Sequence, residues 1–262
     1  MVDSINIFGY KLDEFNELLD KYCKDPVTLC RLGVFKLIKA KDVKRELLKK
    51  LIEIVNEKYS QSSFFINRFL DSLEEGLKQH YEQRLGGAVF RVKARAVSRL
   101  IIHSRNDTSA LLFEYGTILH PIFGIPYIPA SSLKGVVRSY LESIPPSGLS
   151  LNSIDELLGN LGQASSVVFT DGYPSKEGEK GRILEPEVTT SIYQESIKEH
   201  KAKPTPIIYP AVARGVEFTF FVAAKKEAVK YFDKMKGYVK TVIWEGVGAK
   251  TMLGYGELEV GR

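Results

Sequence analysis

The sequence predicts an α+β fold, and two changes of pattern along the chain carry that prediction. Apolar residues recur at helical spacing up to about residue 85 and at strand spacing from Ala88 onward. Glycine pairs and proline clusters mark the joints between segments. The chain therefore divides into a helical N-terminal region, 1–87, and a region 88–262 that reads β-α-β-β-α-β with a long insertion at about 175–210. That order is the ferredoxin-like (RRM-like) arrangement, an antiparallel sheet carrying two helices on one face.

In the first region Val43, Leu47, Leu51, Ile54 and Val55 form one stripe, and Phe65, Phe69, Leu73, Leu77 and Tyr81 form another. Lysines and acids fill the opposite faces, so both stripes are expected to be bundle core. At Gly86-Gly87 the period shortens. Val89, Val92 and Ala94 then alternate with Arg91, Lys93 and Arg95, which predicts a strand with one cationic face. From Ala88 to Arg138, seven basic residues (Arg91, Lys93, Arg95, Arg99, Arg105, Lys134, Arg138) stand against Asp107 and Glu114, a local +5 equal to the net charge of the whole chain.

A proline-punctuated turn, HPIFGIPYIPASS, opens the amphipathic helix LKGVVRSYLESI, which ends before Pro145-Pro146. The segment SSVVFTDGYP reads as the second strand. From Ser175 to Pro210 the chain is polar and rich in Gly, Pro and Lys, as expected of an irregular insertion rather than a core element. A strand GVEFTFFVAA, a helix from about Lys226 to Glu245, a glycine-rich loop and a last strand YGELEV complete the order.

Composition bounds the function classes. With 262 residues, 44% of them hydrophobic, the chain can bury a core without metals or disulfides. Cys23 and Cys30 have no second Cys or His pair nearby, and His80, His103, His120 and His200 are scattered, so no metal site is expected. A basic leader followed by an apolar stretch is absent, as is any run of about 18 apolar residues, which predicts a soluble, cytoplasmic protein with no membrane partner. The net charge of +5 is a mild pointer to an anionic ligand.

The sharpest motif runs from Gly246 to Gly256, GVGAKTMLGYG, with glycines at 246, 248, 254 and 256 around Lys250. Glycine permits positive φ and close backbone approach, so successive N–H groups can face one anion while Lys250 adds a point charge. A tight helix-to-strand crossover is the competing reading. A Walker A site is excluded, because Ala249 and Trp244 stand where that motif has glycine and the loop lies between helix and strand in the wrong order. The second motif is PYIPASSLKGVVR, Pro126 to Arg138. Ser131 or Ser132 can cap a helix whose start favours negative charge, and Lys134 and Arg138, four apart, share one face. Ser131 and Lys134 also fit the S-x-x-K spacing of serine acyl enzymes, without its companion motifs.

The segments PYIPASSLKGVVRSYLE, SSVVFTDGYP and GVGAKTMLGYGELEV resemble the RAMP (repeat-associated mysterious protein) superfamily of CRISPR proteins, whose hallmark is a glycine-rich loop before the last strand of a ferredoxin-like fold. The helical N-terminus and LHPIFGIPYIP resemble, more narrowly, the family of sixth subunits of the type III-B (Cmr) effector complex. The resemblance implies a non-catalytic RNA-binding subunit without cofactor, acting in antiviral defence. Such a subunit caps the backbone filament near the 3′ end of the guide RNA, with target RNA close by and the other Cmr backbone and small subunits as neighbours. Carried onto this chain, the loop role falls to Gly246, Gly248, Lys250, Gly254 and Gly256, and the helix-face role to Ser131, Ser132, Lys134 and Arg138. The cationic strand adds Arg91, Lys93 and Arg95. Many RAMP loops contain arginine where this chain has Ala249-Lys250, so bidentate phosphate contact is not expected there. Two other roles stay open: a metal-independent endoribonuclease that processes guide RNA with His120, Tyr127 and Lys134, and a scaffold that docks neighbours through its helices.

Overall fold

The computed structural model describes residues 6–7, 10–11, 17, 21, 24–37, 43–102, 112–113, 115–144, 151–191 and 205–261. A short hairpin, β1 (Asn6–Ile7) with β2 (Tyr10–Lys11), precedes helices α1 (Pro26–Leu37) and α2 (Val43–Leu77), and α2 runs on into a π-helical turn, Lys78–Arg84. Strand β3 (Ala88–Ala96) follows, then α3 (Ala130–Ser143), α4 (Leu151–Leu158), β4 (Val167–Phe169) and β5 (Tyr173–Lys176). The order ends with β6 (Leu184–Ser191), β7 (Thr205–Val212), β8 (Glu217–Ala224), α5 (Phe232–Glu245) and β9 (Leu258–Val260).

The protein is thus mixed α and β, with antiparallel sheets. Its main sheet has the order β4-β8-β3-β9, with β5 also on β8, and every pair is antiparallel. Strand β3 pairs with β8 from Ala88↔Ala224 to Arg95↔Glu217, whereas β9 covers only Ala94 to Ala96. Alternation along β3 works as the pattern predicts: Val92, Ala94 and Ala96 are buried while Lys93 and Arg95 are exposed. Helix α3 buries Leu133, Val137 and Leu141, four residues apart, and α5 buries Phe232, Met235, Val239, Val242 and Ile243. One apolar cluster joins Leu29 and Cys30 of α1 to Leu51 and Ile66 of α2 and to Phe218 and Phe220 of β8.

Three expectations need correction. First, Phe65 is 66% exposed and Phe69 38%, while Tyr59, Ile66 and Leu70 are buried. A strict spacing of four slips about 40° around a helix at each step, so the phenylalanines rotate out of the buried line, which steps by three and four. Helix α2 also lies on strands β5 to β8 as well as on α1, not in a purely helical bundle. Second, the segment SSVVFTDGYP is two short strands, β4 and β5, both paired with β8. Third, the supposed irregular insertion contains a regular hairpin: β6 and β7 pair in register from Leu184↔Val212 to Ser191↔Thr205, burying Leu184, Tyr209, Ala211 and Val212. Pro186, Pro206 and Pro210 give that stretch the look of a loop, yet a two-stranded ribbon has two outer edges where a missing N–H costs nothing. Residues 192–204, with His200, and residues 103–111, with His103 and Arg105, lie outside the described residues, as do Cys23 and Pro145-Pro146.

Candidate nucleic-acid interface

Helix α5 ends at Gly246, and the crossover to β9 then takes positive φ at Gly248 (96°), Lys250 (61°), Gly254 (81°) and Gly256 (80°). Packing dictates two of these glycines outright. A Cβ on Gly248 would stand 2.5 Å from the Ile101 carbonyl oxygen, and one on Gly256 2.1 Å from that of Val247. At Gly254 a Cβ would meet nothing within 4 Å. Most amides of the loop are already engaged with protein: Val247 donates to Gly256 O, Ala249 to Ile101 O, Gly256 to Arg99 O, and Glu257 to Ser98 Oγ. Among the described residues only the N–H groups of Gly248 and Lys250 in the stretch Val247 to Lys250 are without a partner, and Gly248 is exposed. The crossover reading therefore accounts for Gly248 and Gly256, and few of the loop amides remain to meet an anion. At its tip Met252 and Leu253 face solvent.

Lys250 does not project outward. Its ammonium lies 3.8 Å from the centroid of Tyr115 and 4.9 Å from that of Tyr209, and it donates to Thr189 Oγ1 (3.3 Å) and Tyr209 Oη (3.4 Å). Burial pushes its pKa down, with the Glu187 carboxylate opposing the shift. Beside it, Arg99 pairs with Glu185 and with the buried Glu187 (2.9 Å). The hairpin β6–β7 is in this way fastened to the glycine crossover by Lys250 and to the segment after β3 by Arg99. No sequence spacing announces Tyr115, Thr189 or Tyr209, because the contacts span three distant segments.

At the start of α3 the structure corrects the capping expectation. Pro129 occupies the N-cap, the Ala130 amide donates to Asp171 Oδ1 (2.7 Å), and Ser132 and Leu133 donate to Pro129 O. Ser131 and Ser132 lie inside the first turn, and the turn between β4 and β5 supplies the negative charge that a helix start favours. Arg138 is held by Glu142 (2.7 Å), Asp155 and the Gly159 carbonyl. Lys134 has no hydrogen-bond partner among the described residues, and burial, then Arg138, pushes its pKa down. Val136, Ser139, Tyr140 and Ser143 line a groove with Gly246, Gly248 and Thr251. At about 100° per residue, Lys134 and Arg138 project from the opposite side of α3. The two motifs, each given an RNA-binding role by the resemblance, therefore lie on different sides of one helix.

Of the three strand cations, Arg91 is paired with Asp71 (2.9 Å) and Glu74 (3.0 Å) of α2 and lies 5.6 Å from the Phe221 ring centroid. Lys93 and Arg95 are exposed and have no acidic partner among the described residues.

His120 and Tyr127 do come together, with ring centroids 5.5 Å apart, but inside an aromatic cluster with Phe123 (4.7 Å from His120) and Tyr173 (5.6 Å). His120 Nδ1 accepts the amides of Ile122 and Phe123, both at 3.2 Å. The neutral ring then carries its hydrogen on Nε2 and has no nitrogen left to take a proton from a substrate. Burial pushes the His120 pKa down against the pull of Asp171. The Tyr173 hydroxyl, desolvated and facing Asp171, is pushed up to about 12. No hydrogen bond joins Lys134 to either ring. Among the described residues no three His, Cys, Asp or Glu side chains are grouped to hold a metal ion, and no helix is long and apolar enough to cross a membrane.

Fold and site define a class: an antiparallel sheet backed by helices, whose last helix and last strand are joined by a glycine crossover locked to the end of β3. The chain belongs to the RAMP superfamily, whose family model matches residues 96–259. It is 30% identical over 227 residues to the CRISPR system CMR subunit Cmr6 of Saccharolobus solfataricus, covering 86% of this chain and 75% of that protein. In three dimensions it is similar to a chain in the cryo-EM structure of the type III-B Cmr-beta bound to cognate target RNA, with a TM-score of 0.71, 26% identity, and coverage of 96% of this chain and 87% of that one.

Proposed function

We propose that this chain is a non-catalytic RNA-binding subunit of a type III-B CRISPR effector complex, a cytoplasmic ribonucleoprotein of antiviral defence. In this reading it caps the backbone filament near the 3′ end of the guide RNA, beside target RNA, and residues 1–87 dock neighbouring subunits. The observation that carries the reading is the likeness, over 96% of the chain, to a chain of a complex bound to target RNA. The strand order β4-β8-β3-β9, with α3 and α5 as the crossing helices, supports reading the core as ferredoxin-like, in line with the same assignment. His120 argues against an endoribonuclease base, since Nδ1, the nitrogen with the free lone pair of the neutral ring, already accepts two backbone amides.

The cations left for phosphate contact are Lys93, Arg95 and Lys134, with the exposed Gly248 amide as a further donor. Recognition of this kind is through the backbone and is salt-dependent, with little base readout. Arg95→Ala with Lys134→Ala, in the reconstituted complex, tests it by the salt dependence of guide RNA retention. Each cation withdrawn from a phosphate should lower the log–log salt slope by about one. An unchanged slope and unchanged retention would remove both side chains from the interface.

A further inference from the structure

Helix α5 buries one side, Phe232, Met235, Val239, Val242 and Ile243, and gives the opposite side to solvent. Three residues on that exposed side are unpartnered among the described residues. Lys234 and Lys240 make no ion pair or hydrogen bond there. Trp244, the single tryptophan of the chain, is 52% exposed and contacts no other ring. At 3.6 residues per turn the two lysines stand about 120° apart round the helix, and Gly237, Thr241 and Trp244 fall between them.

Gly237 is an independent observation on the same side. Glycine inside a helix weakens it relative to alanine. Packing does not ask for it here, since a Cβ would meet nothing within 4 Å and the backbone is not left-handed. Its missing side chain leaves bare backbone between the lysines, and Thr241 turns its hydroxyl inward to Gly237 O (3.2 Å). The exposed side is thus a shallow trough with a cation on each wall and an indole about 10 Å along the axis from Gly237. Of the two acids of α5, Asp233 in the first turn pairs with Lys236 (3.5 Å), and Glu245 lines the groove towards α3.

We propose that this side of α5 binds single-stranded RNA, with one base stacked on Trp244 and the neighbouring phosphates held by Lys240 and Lys234 as the strand crosses Gly237. An aromatic ring set among cations holds a single strand without reading its sequence, because every base has a face to stack. A protein partner fits less well. An apolar docking face needs contiguous apolar side chains, whereas Trp244 is the one large apolar residue exposed on α5, and Lys240 and Thr241 stand four and three residues before it. The site is separate from Lys93 and Arg95. The Phe90 ring meets Phe232 of α5 (5.0 Å between centroids), so the odd-numbered residues of β3 point to the other face of the sheet. The inference rests on the RNA-binding reading for its class of ligand and on none of the residues assigned there.

The test titrates the full chain with a uridine 12-mer, an abasic sugar-phosphate strand of the same length, and oligoglutamate. As the single tryptophan, Trp244 reports on its own site by fluorescence. The uridine 12-mer should quench it saturably, and the abasic strand and oligoglutamate should not. Trp244→Ala should weaken uridine binding about tenfold and Trp244→Phe much less. Lys234→Ala with Lys240→Ala should lower the log–log salt slope by about 1.4. Gly237→Gln should raise the urea midpoint, glutamine being the better helix former, and yet weaken RNA binding. Equal quenching by the abasic strand or by oligoglutamate, or wild-type RNA binding by Gly237→Gln, would overturn the proposal. RNA binding without quenching would sink this site and leave the proposed function standing, whereas no RNA binding by the chain or by the reconstituted complex would sink both.

Discussion

The ammonium of Lys250 lies 3.8 Å from the centroid of the Tyr115 ring, which ties the glycine crossover to the segment that follows β3. Tyr209 of β7 completes the enclosure from the other side. A lysine that reads in sequence as a phosphate ligand is, in the fold, the pin between loop and hairpin.

Lys250→Ala should therefore act on stability before it acts on RNA. A desolvated cation–π contact contributes about 1–2 kcal/mol, so urea denaturation should show a loss of that order. A cycle with Tyr115→Leu should give a coupling of about 1 kcal/mol. A coupling near zero would show that the two side chains are neighbours without being partners.

Gly254 and Gly256 share the same left-handed φ and differ in what surrounds them. Gly254→Ala should lower stability by only about 1–2 kcal/mol, the cost of the conformation. Gly256→Ala adds a clash with Val247 O at 2.1 Å and should cost more than about 4 kcal/mol or prevent accumulation of folded protein. Parallel melting curves for the two variants would refute the packing account of the crossover.

How much of this is legible in sequence follows from how local each signal is. The alternation in β3 and the four-residue spacing of Leu133, Val137 and Leu141 are written in short windows, so these two elements can be read directly. The glycine loop stands out for the same reason. What each cation faces is a different kind of fact. Arg138 meets Asp155 and Arg91 meets Asp71 and Glu74 only after distant segments have packed, and nothing at spacing four distinguishes a solvated arginine from a paired one. Prolines mislead in β6 and β7 because they signal loop in a central strand and are tolerated at an outer edge.

Asn56 of α2 imitates a strand partner for the start of β6. Its Oδ1 accepts the amides of Ile183 (2.8 Å) and Leu184 (3.0 Å), and its Nδ2 donates to Leu184 O (3.2 Å). Asn56→Ala leaves three backbone groups unanswered in a partly buried place and should cost about 2–3 kcal/mol, with faster amide exchange at Ile183 and Leu184. Asn56→Asp keeps the acceptor and should cost less. Equal losses would mean that the donor bond to Leu184 O carries the clamp.

His120 should make stability depend on pH in a defined direction. Its Nδ1 holds the Ile122 and Phe123 amides only while it is unprotonated, and burial keeps the folded pKa below the ordinary 6.5. The unfolded chain then takes the proton first. The contribution is complete above about pH 6.5 and is lost as pH falls through the lowered folded value. His120→Asn offers a side-chain carbonyl to the same amides and has nothing to titrate. Urea midpoints of the two proteins should differ most at neutral pH and converge on acidification to about pH 5. Curves that stay parallel across that range would mean His120 gains its proton equally in both states, and the aromatic cluster would then have no part in holding the ring neutral.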